Sequence, residues 1–175
     1  DCIGVQSHAN KKLFNNMFPS YKNVHILRNW SATNPLSKSN YKNKLRVNLG
    51  IDDKVVFFYG GNIGYAQDMK NLMKLVKKLK HRKEAHFLII GQGDEYQLIK
   101  DLQNKWKLNN LTIMPSITQD EFSKVLATVD VGLFSLSISH TAHNFPGKLL
   151  GYMLESKPIL GSVNPGNDLL EIINN

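Results

Sequence analysis

The sequence has 175 residues, enough for one good-sized domain and short of two complete ones. Its hydrophobic content is 42%, and no apolar run approaches the roughly 18 residues of a membrane span, which excludes a spanning helix within these residues. The net charge of +8, from 22 Lys+Arg against 14 Asp+Glu, favours anionic partners such as nucleic acid, acidic lipid or a phosphorylated ligand, against the plainer reading of a solvated lysine-rich surface.

The chain opens on Asp1, without an initiator methionine or a signal peptide, and reads as a piece of something larger. Cys2, the single cysteine, excludes an intramolecular disulfide and a cysteine-built zinc site, and fits a reducing, cytoplasmic setting. Residues 2 to 5 read as a strand, 9 to 17 as a helix and 24 to 27 as a second strand. Residues 31 to 44, SATNPLSKSNYKNK, have the Ser, Asn, Lys and Pro composition of a linker, and a boundary falls there.

From Val55 onward short apolar runs alternate with amphipathic segments. Residues 55 to 59 (VVFFY) form a buried-strand candidate that ends in Gly60-Gly61-Asn62. Met69, Leu72, Met73, Val76 and Leu79 recur at helical spacing, which predicts a helix over 66 to 82. Residues 86 to 90 (HFLII) are a strand stopped by Gly91-Gln92-Gly93, and 94 to 106 are a helix. Residues 111 to 114 are a third strand. Thr118-Gln119-Asp120-Glu121 supplies a capping box for a helix over 119 to 128. Residues 131 to 134 are a fourth strand. After a loop with two histidines, HNFPGKLLGYMLESKP (143 to 158) opens a helix at Lys148. Residues 158 to 160 are a fifth strand, and 168 to 173 a last helix. Strand–helix units at this spacing predict an α/β, Rossmann-like, doubly wound parallel sheet whose ligands lie beyond the carboxyl ends of the strands. The glycine-rich and polar loops all fall on that rim.

Each rim motif admits two readings. Gly60-Gly61-Asn62-Ile63-Gly64 lies between a strand and a helix, where glycine lets a phosphate approach the backbone. It lacks the order of a P-loop or of a dinucleotide fingerprint, and a tight structural turn serves equally. Gly91-Gln92-Gly93 is more simply a strand-to-helix turn. His140 and His143 sit in a polar loop with no cysteine or paired carboxylate beside them, so polar ligand contacts or surface histidines are better readings than a metal site. No nucleophile elbow occurs. The lysines at 70, 74, 77, 78 and 80, with Arg82 and Lys83, carry no interleaved aromatics, which argues against a single-strand nucleic-acid platform. Pro146-Gly147 leading into Lys148 is either an ordinary helix start or an anion-facing one.

The order YGGNIGYAQDM, LIIGQGDEYQLI, LTIMPSIT with VDVGLFSLS, and FPGKLLGYMLESKPIL resembles the carboxyl-terminal, donor-binding half of retaining GT-B glycosyltransferases of family 4, the glycosyl transferases group 1. The resemblance covers about residues 55 to 170. It makes residues 1–30 the end of an amino-terminal acceptor domain, 31–50 an interdomain linker, and 51–175 a nucleotide-sugar-binding domain truncated at its carboxyl end. Within the family, GNIGYAQ, HNFPGKLLGYM and ILGSVNPGND look most like bacterial enzymes that transfer N-acetyl-fucosamine or a related amino sugar in O-antigen or capsule assembly.

The resemblance implies transfer from a nucleotide diphosphate donor, UDP-linked, to a lipid-linked saccharide. It implies a cytoplasmic protein peripheral to the inner-membrane surface, with no cofactor, no metal and no nucleic-acid partner. The donor would meet Gly61, Asn62, Gly91, Met114, Ser116, His140, Asn144, Gly147 and Lys148, with His143 and Lys148 as the catalytic pair. The E-x7-E acids of many members are replaced by His143 and Gly151. The Arg and Lys that often hold the diphosphate are replaced by Asn62 and Gln67, which leaves Lys148 as the local cation. Alone, this fragment is expected to be inactive. A sugar-nucleotide epimerase of the same fold and a non-enzymatic nucleotide or nucleic-acid binder are the alternatives, and the few acids on the rim count against the epimerase.

Overall fold

The structure, a computed structural model, describes residues 1–32, 41–139 and 145–174. Strands β1 (Ile3–Val5) and β2 (Val24–Ile26) pair in parallel, joined through helix α1 (His8–Met17). The main sheet follows: β3 (Val55–Asn62), β4 (Ala85–Gln92), β5 (Leu111–Met114), β6 (Val131–Ser135) and β7 (Ile159–Ser162), all parallel in the order β5-β4-β3-β6-β7. Helices α3 (Met69–Lys78) and α4 (Tyr96–Trp106) cover one face. Helices α2 (Tyr41–Asn48), α5 (Gln119–Thr128), α6 (Lys148–Leu154) and α7 (Leu169–Asn174) serve the other.

Strands buried on both faces must be apolar at consecutive positions, and VVFFY and HFLII are. Successive side chains go to opposite layers. Phe58, Leu88, Ile90 and Phe134 pack under α5 and α6 with Val125, Leu126 and Tyr152. Tyr59, Phe87, Ile89 and Leu133 pack under α3 and α4 with Met73, Val76 and Ile99.

Four differences from the sequence expectations bear on the site. The glycines read as loops are strand: β3 runs through Gly60, Gly61 and Asn62, and β4 through Gly91 and Gln92, with Gly61 opposite Gly91. A Cβ on Gly91 would lie 1.8 Å from the Gly61 carbonyl oxygen, so two backbones meet where a side chain cannot fit. The helix expected over 66 to 82 is a 3-10 turn (Tyr65–Gln67) followed by α3. Asp68 breaks it at φ 44° and caps α3 by accepting the Asn71 N–H at 3.2 Å.

The segment read as a linker ends in a helix. In α2, Arg46 is buried; its guanidinium lies 3.1 Å from the Asp130 carboxylate and donates to the carbonyls of Thr128, Ile51 and Lys54. Residues 33–40 lie outside the described residues. The last strand is Ile159–Ser162 rather than 158 to 160, its exit anchored as the Leu136 N–H donates to the Ser162 carbonyl. The capping box of α5 forms as expected, with the Thr118 hydroxyl accepting the Glu121 N–H and Glu121 accepting the Thr118 N–H.

The amino-terminal unit touches the segment entering α6. The Phe145 N–H donates to Gln6 Oε1 at 3.4 Å, and the Ala9 N–H donates to the Asp168 carboxylate at 3.1 Å.

Candidate functional site

The chain runs from β3 through β4 to β5 on one side of the sheet, then returns beside β3 as β6. This reversal opens a crevice beyond the carboxyl ends of β3 and β6, where ligands of open α/β sheets bind. Two hollows meet there. The larger, about 510 Å³, lies over β3 and β4, between Gly61, Gly91, Gln92, Ser116, Ile117 and Phe122. The smaller, about 180 Å³, lies over the β3–β6 gap, between Gln67, Ser135, Leu136, Pro146 and Gly147. Asn62 and Lys148 line both.

Lys148 is the unusual group. The residue as a whole is partly exposed, but its Nζ is sealed from solvent and has no hydrogen-bond partner. Nζ sits 3.4 Å from the centroid of the Tyr59 ring, against its aromatic face. Burial pushes its pKa down from an ordinary value near 10.5 to about 7. A solvated first-turn lysine, the plainer reading of this position, has none of these properties. Because α6 has only seven residues, its own dipole is a weak attraction for an anion, and the side chain is the stronger one.

The surroundings fix this geometry. Tyr59 donates its hydroxyl to the Asn62 carbonyl at 2.6 Å, pinning the end of β3. Asn62 donates through Nδ2 to Gln67 Oε1 at 2.9 Å, tying the strand end to the 3-10 turn. Tyr152, fully buried on α6, donates to the carbonyls of Phe58 and Leu133 at 3.2 and 3.0 Å and so clamps β3 to β6 at the reversal. Burial pushes the phenols of Tyr59 and Tyr152 well up, so both are neutral. Across the larger hollow the Ser116 hydroxyl donates to Gln92 Oε1 at 2.9 Å.

Of the residues expected from sequence, Gly61, Asn62, Gly91, Ser116 and Lys148 come together on the larger hollow, and Gly147 joins Asn62 and Lys148 on the smaller. A Cβ on Gly147 would meet nothing within 4 Å, so the space over it is open. Met114, expected to meet the base chiefly through its backbone, ends β5 with its side chain packed against the core, and Ser116, Ile117 and Phe122 line the hollow. His140, His143 and Asn144 lie outside the described residues. Gly151 packs toward α5, where a Cβ would lie 3.0 Å from Leu126 Cδ2, and Glu155 caps the opposite end of α6 from the crevice.

Sequence reasoning missed Tyr59, Gln92 and Phe122. The signal for Tyr59 was a polar-tipped aromatic closing an otherwise apolar strand. Among the described residues, no three His, Cys, Asp or Glu side chains cluster as metal ligands.

Residues 53–175 match the family described as glycosyl transferases group 1, which is more than half of the chain. The chain belongs to that family. This glycosyltransferase chain is 28% identical over 120 residues to the Pseudomonas aeruginosa protein described as "Probable glycosyltransferase WbjE", covering 69% of this chain and 30% of WbjE. Its fold is that of one half of GT-B enzymes. It superposes on Anabaena Alr3699/HepE, solved in complex with UDP and glucose, with a TM-score of 0.74 at 17% identity, over 99% of this chain and 52% of HepE. It superposes on WaaG, a glycosyltransferase involved in lipopolysaccharide biosynthesis, with a TM-score of 0.73 at 14% identity, over 98% of this chain and 47% of WaaG. The chain thus spans about half the length of these solved structures and less than a third of WbjE. Among the described residues no helix is long and apolar enough to cross a membrane.

Proposed function

We propose that this chain is the donor-binding half of a retaining glycosyltransferase, and that it holds a UDP-linked sugar with the diphosphate against Lys148. The observation that carries this reading is the buried Lys148 Nζ, without a hydrogen-bond partner, in the wall shared by the two hollows. An unpaired buried cation is costly, and a crevice mouth is where an arriving anion can compensate it. The larger hollow takes the nucleoside, between Ser116, Ile117 and the β3–β4 glycine pair. The smaller hollow takes the sugar, which the sequence brings to His140, His143 and Asn144, and His143 stands where many members carry an acid.

In such a reaction the charge to be stabilised develops on the departing diphosphate. Lys148, with the backbone of Gly61, Asn62 and Gly147, supplies that stabilisation without a metal. Residues 1–30 are the end of the acceptor domain and 31–50 the crossing between domains, so the acceptor site lies largely outside this chain and the fragment alone is inactive. The donor sugar is an amino sugar of the N-acetyl-fucosamine type, and the acceptor a lipid-linked saccharide of bacterial surface polysaccharide assembly. The resemblance carried by GNIGYAQ, HNFPGKLLGYM and ILGSVNPGND supports that setting.

A thermal-shift panel of nucleotides tests the reading. UDP and UDP-sugars raise the melting temperature while ADP and CMP do not. Lys148→Met lowers UDP affinity by roughly 10- to 100-fold, the range of a lost charge-assisted contact. Unchanged affinity removes Lys148 from the site.

A further inference from the structure

We propose that Lys148 is an uncharged amine in the empty crevice and takes up a proton as the nucleotide diphosphate binds, so that ligand and charge arrive together. This rests on the donor-site reading above.

The geometry gives a proton on Nζ no anionic partner among the described residues. Nζ is sealed from water, accepts no partner, and lies against the Tyr59 ring. Among the described residues, each element packed around it presents a neutral group, and the titratable His140 and His143 lie outside the described residues. From β3 comes Tyr59, whose hydroxyl donates to the Asn62 carbonyl. From α6 comes Tyr152, whose hydroxyl donates to two carbonyls. Strand β6, VGLFS, carries no titratable side chain, and α5 and the 3-10 turn present Phe122, Gln119 and Gln67. The acid felt at Tyr59 is Glu95, and it is already engaged, with Oε2 accepting the Met69 N–H at 3.3 Å.

Burial is accordingly the cause behind the lowered pKa of about 7 for Lys148, so above neutral pH the amine is mostly unprotonated. A diphosphate brings negative oxygens to the one place where a proton on Nζ lowers the energy. The proton comes from solvent, no bond of the ligand breaks, and the resulting ammonium already faces the leaving oxygen when the sugar departs.

Isothermal titration of this chain with UDP at about pH 8, in two buffers of different ionisation enthalpy, reads the proton count directly. UDP contributes almost none of it there, because a phosphate's second pKa is about 6. The expected result is uptake approaching one proton per UDP, with affinity falling up to about tenfold from pH 8 to pH 9. Lys148→Arg, permanently charged and checked for folding by its circular-dichroism melt, is expected to bind UDP without proton uptake. UDP binding by the unaltered chain with no net proton uptake overturns this inference and leaves the donor-site reading standing. Uptake that persists in a folded Lys148→Arg assigns the proton to another group and also overturns it. No UDP binding at all overturns the donor-site reading itself.

Discussion

Lys148 and Tyr59 show how one residue's chemistry depends on a partner far away in sequence. Both are ordinary in composition, and only the packing of α6 over the end of β3 puts an amine on an aromatic face out of water. That burial has a stability signature. Between pH about 7 and the ordinary lysine value near 10.5, the unfolded chain binds a proton that the empty folded chain does not. The folded state therefore gains stability as pH rises through that window, and below it carries the full cost of a buried charge. Lys148→Met removes the group, so the variant is expected to be the more stable at pH 6, by on the order of a few kcal/mol, with the gap closing by about pH 10. Urea unfolding of both chains across pH measures it, and a constant gap refutes it. The existence of a cation at position 148 was legible in the sequence; its burial was not, because exposure is a property of neighbours.

At the scale of elements, the periodic segments were legible because their patterns are local. The five strands of the main sheet, the capping box of α5 and the helical spacing of Met69, Leu72, Met73 and Val76 all follow from residues within a few positions of each other. Where composition alone misleads, long-range contacts decide. Glycine runs look like loops, yet Gly61 and Gly91 are paired strand because each tolerates the other's backbone at a distance no Cβ allows. Helix α2 has a linker's composition, yet Arg46 fastens it through Asp130, Thr128 and Ile51. Among the described residues, Arg46→Ala leaves the Asp130 carboxylate with the Val56 N–H alone, at 2.8 Å, and is expected to cost about 2–4 kcal/mol. Increased amide exchange confined first to residues 41–48 identifies the detached element. Protection that stays as in the unaltered chain means that α2 is held by its apolar contacts alone.

For the whole molecule, charge distribution matters more than net charge. Lys70, Lys74, Lys77, Lys78, Lys80, Arg82 and Lys83 are exposed on α3 and the turn after it, a basic face separate from the crevice. If the acceptor is lipid-linked, as proposed, the protein works at an anionic leaflet, where each basic side chain near the surface contributes about 1 kcal/mol. The chain is therefore expected to sediment with phosphatidylserine vesicles and to be released by salt. Replacing Lys74, Lys77 and Lys78 by Glu should weaken that binding by more than about tenfold. Binding indifferent to anionic lipid content refutes the membrane role.

By itself, the sequence determined the alternation of strands and helices, the rim on which polar loops gather, and the family resemblance, since each is written in local order and spacing. Tertiary structure alone decided that Tyr59 and Tyr152 are fully buried beneath the crevice, and that Lys148 stands unpaired between its two hollows. Those are contacts between β3, β6 and α6, elements separated by long stretches of chain, and no local pattern encodes the distance between them.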